Sequence, residues 1–391
     1  MADPVRELER GDLAADVVAF ARDLISTPSV NPALEDSGTG EAAVAELTAG
    51  WLRTWGYDVR MVEAPPGRPS VLARLGLGSA PSLILCGHLD TVGVDGMIVD
   101  PFAAEVRDGR LWGRGAADMK GGVAALLAAA RDAAERGVGG QLLIALTADE
   151  EEAGAGCLRL IEEGLHADAA VVCEPTGLAV MPAHKGFVWI RIAFRGQAAH
   201  GSRPDRGVDA IRHAGLFLAR LDALEAELSK RPPHPLLGYG SIHAGTVAGG
   251  TAPSVYPSSC ELTLERRILP GETIAAVRSE VEYLLAQLRS GIPDLHADVD
   301  VVLHRNGSEV PSDHELVRAV RDAARKAGAE SEVAGMTAWV EAVVFNEAGI
   351  PAVCFGPGSI EDAHSADESV AIDELRTAHR ALSILVEELL E

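Results

Sequence analysis

The chain has 391 residues and carries 34 basic against 58 acidic side chains, a formal net charge of −24. At about 150 residues per domain, this length predicts two or three domains. A chain this acidic lacks the Lys and Arg patches that bind phosphate backbones or anionic lipids, so we expect no nucleic-acid partner and no membrane partner. Most of the charge should serve solubility, and the composition favours an enzyme acting on small molecules.

The cysteines and the N-terminal segment indicate the cellular compartment in which the protein is expected. The five cysteines are odd in number and none forms a CxxC pair, which predicts a reducing environment without disulfides. The first 23 residues are charged and lack the apolar core of a signal peptide. The longest run of small apolar residues, 121–130, is too short to span a bilayer. We therefore expect a cytoplasmic protein.

The first half of the chain alternates helices with short apolar strands. This alternation predicts an α/β fold with a three-layer domain. Thr39 is the expected cap of the second helix. The predicted helices cover 12–25, 41–55, about 119–136 and 154–163, and the predicted strands cover 82–86, 141–147 and 169–173.

The pattern changes near residue 184. Segment 187–195 alternates apolar and polar positions, as a strand with one exposed face does. Further strands near 241–247, 258–266 and 297–303, with helices at 207–228 and 272–290, predict a smaller two-layer α+β domain at 185–303. A helix at 313–327 and an apolar strand at 351–355 resemble the first domain again. The first domain is thus expected to be discontinuous, over 1–184 and 304–391.

Chemically active residues follow the apolar strands. Ligands in open α/β sheets bind at the carboxyl ends of strands, so these side chains are expected to meet. A cluster of two His and three or four carboxylates suits Zn²⁺, Co²⁺ or Mn²⁺ better than Ca²⁺. Each motif alone is weak, and only their joint placement is informative. The residues are His88 and Asp90, Asp118 in a Gly-rich loop, Glu150 and Glu151, Glu174, and His364.

With these motifs the chain resembles the M20 metallopeptidase/aminoacylase family, which includes acetylornithine deacetylase, succinyl-diaminopimelate desuccinylase and carboxypeptidase G2. The resemblance implies a zinc-exopeptidase-like catalytic domain with an inserted lid and dimerisation domain, and hence a homodimer. The matching blocks run in family order over nearly the whole chain. They include Gly87 to Val92, Gly113 to Gly122, Asp149-Glu150-Glu151, Cys173 to Thr176, Gly196 to Ser202, Arg267 to Glu272, Phe355 to Gly358 and His364 to Glu368.

The resemblance also implies roles in a site with two Zn²⁺ ions, for which Co²⁺ or Mn²⁺ can substitute. Asp118 would bridge the metals, with His88 and Glu174 on one ion and Glu151 and His364 on the other. A water between the metals would be the nucleophile, with Glu150 as its general base. Asp90 would orient the ring of His88.

Residues of the insert and of the C-terminal segment match the family's substrate site. The resemblance makes His200 the donor to the oxyanion, reaching in from the partner subunit, and Arg267 the ligand of the substrate carboxylate. Arg266 competes with Arg267 for this role. Gly356 is expected in a turn that either cradles the substrate or is purely structural.

Two departures leave the substrate open. Ser254 stands where many deacetylases have Asn, and Glu341 stands where they often have Asp. The resemblance implies an amidohydrolase that cleaves N-acyl amino acids, with a dipeptidase or a carboxypeptidase G2-like exopeptidase as the alternative. A non-catalytic metal-binding protein and a cysteine hydrolase using Cys86 or Cys173 are the rivals from other classes.

Overall fold

A computed structural model describes residues 17–76 and 81–391, which divide into two units. The first unit joins Met1–Pro182, described from residue 17, to Val310–Ala334 and Val340–Glu391. The second joins Ala183–Glu309 to Gly335–Trp339. The second unit therefore takes in residues on both sides of segment 185–303.

The apolar strands of the sequence lie in the central sheet of the first unit. The order is β1 (Asp58–Glu63), β2 (Pro69–Leu75), β6 (Gln141–Thr147), β3 (Ser82–His88), β7 (Ala169–Val172), β15 (Ala352–Cys354) and β8 (Val180–His184), and the short strands β13 (Ser308–Glu309) and β14 (Val333–Met336) pair with β8. Helices cover both faces of this sheet, which explains why β3, β6 and β7 are almost entirely apolar and buried. Strands β3, β6, β7 and β15 run parallel to one another, whereas β1, β2 and β8 pair antiparallel.

The helices of the first unit form two layers, which confirms the three-layer α/β prediction. One layer contains α1 (Val17–Ile25), α3 (Gly121–Arg136), α7 (Glu315–Lys326) and α9 (Ile372–Leu390), which pack on one another. The other contains α2 (Ala42–Thr54), α4 (Ala155–Glu162) and α8 (Ala342–Glu347), which pack on β1, β2 and β7. A small sheet pairs β16 (Ser369–Ala371), β5 (Arg110–Trp112) and β4 (Glu105–Arg107).

The second unit is a two-layer α+β structure. Its antiparallel sheet has the order β10 (Ser241–Gly249), β11 (Ser259–Ile268), β9 (Gly186–Arg195) and β12 (His296–Arg305). Helices α5 (Ala210–Leu228) and α6 (Ile274–Gly291) cover one face, where Val188, Ile190 and Ile192 of β9 are buried. Asp209 and Thr273 cap the two helices through their side chains.

Several elements differ from the sequence expectations. The predicted residues 12–16 of the first helix lie outside the described residues. Helix α2 follows Glu41 without a side-chain cap, so the expected cap at Thr39 is wrong; the Glu41 carboxylate instead pairs with Arg68. Helix α9 was not predicted, although Leu375, Ala378, Leu382 and Leu385 recur at helical spacing on its buried side. Among the residues described, no helix is both long and apolar enough to cross a membrane.

Candidate metal centre and active site

Three neighbouring parallel strands bring the predicted ligands to one edge of the sheet. His88 is the last residue of β3, Glu150 and Glu151 follow β6, and Glu174 follows β7. Asp118 lies in an irregular turn (Ala116–Lys120) just before α3, with non-helical dihedral angles and a cis peptide bond to Met119. The sheet order β6–β3–β7 thus places His88 between the two acidic loops.

The side chains of four predicted ligands lie within contact distance. His88 Nε2 is 3.1 Å from Asp118 Oδ1, and His364 Nε2 is 3.3 Å from Asp118 Oδ2 and 3.1 Å from Glu151 Oε2. The two oxygens of Asp118 therefore face different imidazoles. One potential ligand atom from each of His88, Asp118 and Glu151 lies within 4.8 Å of the others, close enough to surround bound metal ions.

Glu174 and Glu150 add buried carboxylates beside this cluster. Burial and the charge of Asp118 raise the pKa of Glu174, and burial together with Glu174 and Glu151 raises the pKa of Glu150. Among the described residues, Glu174 Oε1 and Glu151 Oε1 are buried without a hydrogen-bond partner. Buried carboxylate oxygens without partners are costly. The site is therefore short of positive charge.

The donor set fits divalent cations. Hydrogen bonds from His364 and His88 lower the pKa of Asp118 despite its burial, which keeps its carboxylate ionised between them. Imidazole and carboxylate ligands suit Zn²⁺, Co²⁺ and Mn²⁺. Cations would also supply partners for the two orphaned oxygens.

His88 is held by the main chain of Asp90 more closely than by its side chain. His88 Nδ1 is 2.9 Å from the Asp90 carbonyl oxygen and 3.6 Å from Asp90 Oδ1. A proton on Nδ1 donated to this carbonyl leaves Nε2 free for a metal. The Asp90 carboxylate instead accepts hydrogen bonds from the backbone N–H groups of Glu150 (3.1 Å) and Glu151 (3.2 Å).

Two buried ion-pair networks around the ligands were not anticipated from the sequence. Arg68 pairs with Glu41 and Asp149 behind the loop of Glu150 and Glu151. Glu368 pairs with Arg114 at 2.6 Å and accepts hydrogen bonds from the backbone N–H groups of Ala117 and Asp118. The position of Glu368, four residues after His364 within a matching motif, was a usable signal, whereas no spacing pointed to Arg68.

Gly356 lies against the backbone that carries Glu174. A Cβ atom at residue 356 would come within 2.5 Å of the carbonyl oxygens of Cys173 and Glu174. Thr176 Oγ1 also bonds both the N–H and the carbonyl oxygen of Gly356. These contacts favour the structural alternative for this turn.

The two candidate arginines of the second unit differ in availability. Arg266 is fully buried and pairs with Glu272 (2.8 Å) and Glu280 (3.2 Å). Arg267 is 32% exposed, pairs with Glu265 at 2.6 Å and lies over the ring of Phe187. Only Arg267 has an accessible guanidinium.

The other predicted residues of the second unit lie on exposed loops. His200 is exposed, and its Nδ1 is 2.8 Å from Ser202 Oγ. Ser254 is exposed and accepts a hydrogen bond at its carbonyl oxygen from Gly201 N–H. The two segments are therefore neighbours within this unit.

The cysteines offer no activated thiolate. All five are free and buried. Burial raises the pKa of Cys86 and of Cys173, so their thiols stay protonated. This environment argues against a cysteine hydrolase.

Comparison with known sequences identifies the class of protein to which this chain belongs. Residues 84–388 match the model of Peptidase family M20/M25/M40, and the chain belongs to this family. It is 32% identical over 383 residues to an acetylornithine deacetylase of Proteus mirabilis, covering 95% of this chain and 96% of that protein. It is 33% identical over 387 residues to an acetylornithine deacetylase of Klebsiella pneumoniae, covering 94% and 96%. The family consists of hydrolases of amide or peptide bonds, and this chain is such an enzyme.

Solved structures share the fold. A tripeptidase of Staphylococcus aureus aligns with a TM-score of 0.79 at 22% identity, covering 96% of this chain and 98% of that one. A dinuclear metal-binding M20 peptidase of Bacillus subtilis aligns with a TM-score of 0.73 at 18% identity, covering 96% and 97%.

Proposed function

We propose that this chain is a dinuclear zinc amidohydrolase that cleaves the amide bond of N-acyl amino acids, in the manner of an acetylornithine deacetylase or succinyl-diaminopimelate desuccinylase. The observation that carries the proposal is the clustering of His88, Asp118, Glu151 and His364, with orphaned carboxylate oxygens, at one edge of the sheet. The deacetylase relatives, at 32–34% identity over 90–95% of the chain, support the choice of substrate class.

Five residues would hold the two Zn²⁺ ions, for which Co²⁺ or Mn²⁺ could substitute. His88 and Glu174 would bind one ion, Glu151 and His364 the other, and Asp118 both. When bound, such ions polarise the scissile carbonyl and lower the pKa of a water molecule. The two carboxylate oxygens of Asp118 face different imidazoles, which supports a bridging role for this residue.

Glu150 would act as the general base and then as the acid. Its carboxylate would take the proton of the attacking water and pass it to the nitrogen of the leaving amine. Its burial, together with the carboxylates around it, raises its pKa and so makes its carboxylate a stronger proton acceptor. Asp90 would keep Glu150 in place through the backbone hydrogen bond at Glu150 N–H.

Residues of segment 185–303 would complete the substrate site. Arg267 would bind the α-carboxylate, because its side chain is partly exposed and pairs with one glutamate, whereas that of Arg266 is fully buried and pairs with two. His200 would donate to the oxyanion from the partner subunit of a homodimer formed through this segment, acting as a lid. Ser254 would contact the substrate. The buried free thiols support a cytoplasmic location.

A substrate panel tests the proposal. The metal-free protein, reconstituted in turn with Zn²⁺, Co²⁺ and Mn²⁺, is assayed on N-acetyl and N-succinyl amino acids, dipeptides and acyl-glutamates. We expect release of free amine from the N-acyl amino acids, lost on chelation and restored by metal.

Other results would redirect the assignment. Turnover of dipeptides or acyl-glutamates alone would support the exopeptidase alternative. Activity that survives chelation but is lost on thiol alkylation would contradict the metal mechanism. Metal binding without turnover of any amide would favour the non-catalytic alternative.

A further inference from the structure

We infer that Arg68 is a positioning residue that holds the acidic turn carrying Glu150 and Glu151. The inference rests on the proposed function, since it gives Arg68 no chemistry of its own but makes the placement of a base and a metal ligand depend on it. Arg68 belongs to none of the matching motifs. Its contacts alone point to this role.

The turn after β6 needs external support. Asp149 has a φ of 66°, in the left-handed region that is unfavourable for a residue with a side chain. Such a conformation persists only where surrounding contacts impose it. Asp149 Oδ1 accepts hydrogen bonds from Arg68 Nη1 (2.6 Å) and Asn31 Nδ2 (3.2 Å), and its backbone N–H donates to Glu41 Oε1 (3.0 Å).

Arg68 ties these groups together as a buried fork. Its side chain is only 10% exposed, and that of Glu41 is fully buried. Arg68 Nε donates to Glu41 Oε2 at 2.8 Å, and Nη2 donates to Glu41 Oε1. One planar guanidinium thus engages Glu41 through two nitrogens and Asp149 through the third, which an ammonium group cannot do.

Asn31 connects this fork to the two glutamates. Asn31 Nδ2 donates to Asp90 Oδ2 at 2.9 Å as well as to Asp149. Asp90 in turn accepts the backbone N–H groups of Glu150 and Glu151. Asp149, Glu150 and Glu151 are therefore each hydrogen-bonded to the same buried network. Loss of the guanidinium would leave Glu41 and Asp149 buried without their cation, and relaxation of the turn would displace Glu150 and Glu151.

The test uses Arg68→Met, Arg68→Lys and Asn31→Ala. The readouts are kcat and KM on the best substrate of the panel, Zn²⁺ affinity of the metal-free protein by calorimetry, and its free energy of unfolding in urea. For Arg68→Met we expect kcat to fall and the Zn²⁺ dissociation constant to rise, each by about 10- to 100-fold, with KM within about twofold of wild type. Arg68→Lys keeps the charge without the fork and should recover part of both losses. Asn31→Ala should change both in the same direction, by less.

Asp132→Asn is the matched control. Asp132 is a partly buried carboxylate of the same unit that pairs with His379 on α9. Its loss should lower the free energy of unfolding while leaving kcat and Zn²⁺ affinity unchanged. If Arg68→Met does not fold, Arg68→Lys and Asn31→Ala decide the question, because Asn31→Ala removes no ion pair.

The outcomes separate this inference from the proposed function. Wild-type kcat and Zn²⁺ affinity in the Arg68 and Asn31 variants, or losses of stability alone as in Asp132→Asn, would overturn the positioning role. Glu150→Gln is measured in the same assay. Full activity of Glu150→Gln would overturn the proposed base, whereas an inactive Glu150→Gln beside unaffected Arg68 and Asn31 variants would overturn only the inference about Arg68.

Discussion

Glu150 and Glu151 are adjacent in the chain but have different surroundings. Glu151 Oε2 lies 3.1 Å from the imidazole of His364, as expected of two ligands of one ion. Glu150 is a carboxyl group whose pKa is raised by burial and by Glu174 and Glu151, as expected of a proton acceptor. Because both backbone N–H groups bond to Asp90, one anchor serves both residues.

Replacing Glu150 by Gln should therefore separate chemistry from metal binding. The amide cannot take the proton, so we expect kcat to fall by about 10²- to 10⁴-fold. Zn²⁺ stoichiometry by metal analysis should remain at the wild-type value, whereas Glu151→Gln should reduce it. Retained turnover in Glu150→Gln would remove Glu150 from the mechanism.

Adjacent arginines on β11 allow a second test at the level of single residues. Arg267→Ala should raise KM for substrates with a free α-carboxylate, because a charge-assisted hydrogen bond contributes about 1.5–3 kcal/mol. Arg266→Ala should instead lower the free energy of unfolding by about 1.5–3 kcal/mol, since it removes charge-assisted hydrogen bonds to Glu272 and Glu280, which keep Arg231 as their other partner. Steady-state kinetics and urea unfolding distinguish the two.

Arg191→Ala is the control for this pair. Arg191 forms an exposed ion pair with Asp300 and should affect neither KM nor stability appreciably. An unchanged KM in Arg267→Ala, or a raised KM in a stable Arg266→Ala, would reverse the assignment.

At the scale of elements, α3 approaches the end of β7 closely enough to couple the loops of Asp118 and Glu174. A Cβ atom on Gly122, in the first turn of α3, would lie 1.9 Å from the carbonyl oxygen of Cys173. A Cβ atom is fixed to the backbone and the carbonyl oxygen of Cys173 is part of it, so no side-chain rotation could relieve this clash. The glycine therefore sets the distance between the two ligand-bearing loops.

Gly122→Ala should push this helix from the sheet. We expect a loss of about 1–3 kcal/mol in the free energy of unfolding and a weaker Zn²⁺ affinity of the metal-free protein. Gly215→Ala is the matched helical control, because no atom lies within 4 Å of its added Cβ, and it should be neutral or stabilising by up to about 1 kcal/mol. Equal stability of the two variants would contradict this packing argument.

At the scale of the whole molecule, a polar contact between α3 and α9 should make stability depend on pH. Asp132 accepts hydrogen bonds from His379 Nε2 and Ser383 Oγ, each at 2.7 Å. Although burial opposes it, these bonds lower the pKa of Asp132. A lowered folded-state pKa contributes stability that is present above the ordinary pKa of a carboxyl group and is lost as pH falls through the folded value.

Asp132→Asn should therefore be less stable than the wild type near neutral pH, by about 1–3 kcal/mol, and the difference should shrink as the pH is lowered. Urea unfolding of the metal-free proteins at a series of pH values measures this. A difference that grows toward acid pH would contradict the sign of the shift. Ser383→Ala keeps the ion pair of Asp132 with His379. The difference in stability between this variant and the wild type should therefore depend less on pH than the difference for Asp132→Asn.

The fold class could be predicted from the sequence because the patterns that indicate helices and strands are local. Short apolar strands and amphipathic helices follow from periodicity, and side chains directly after parallel strands must share one edge of the sheet. His88, Glu151 and Glu174 could thus be assigned to one site before their distances were known. The identity of the substrate could not be derived from such local patterns. Ser254 and Glu341 depart from the family pattern, but their residue types do not indicate which substrate the site binds.

The contacts around Arg68 and Glu368 were decided only by tertiary structure. Arg68 and Asp149 are separated by 81 positions and meet only because β2 and β6 pair in the sheet. No periodicity marks a buried guanidinium that joins two carboxylates, since in the sequence each of these residues is an ordinary charged side chain. The chain alone therefore identified the groups suited to the chemistry, whereas packing of distant segments determined which buried partners hold them in place.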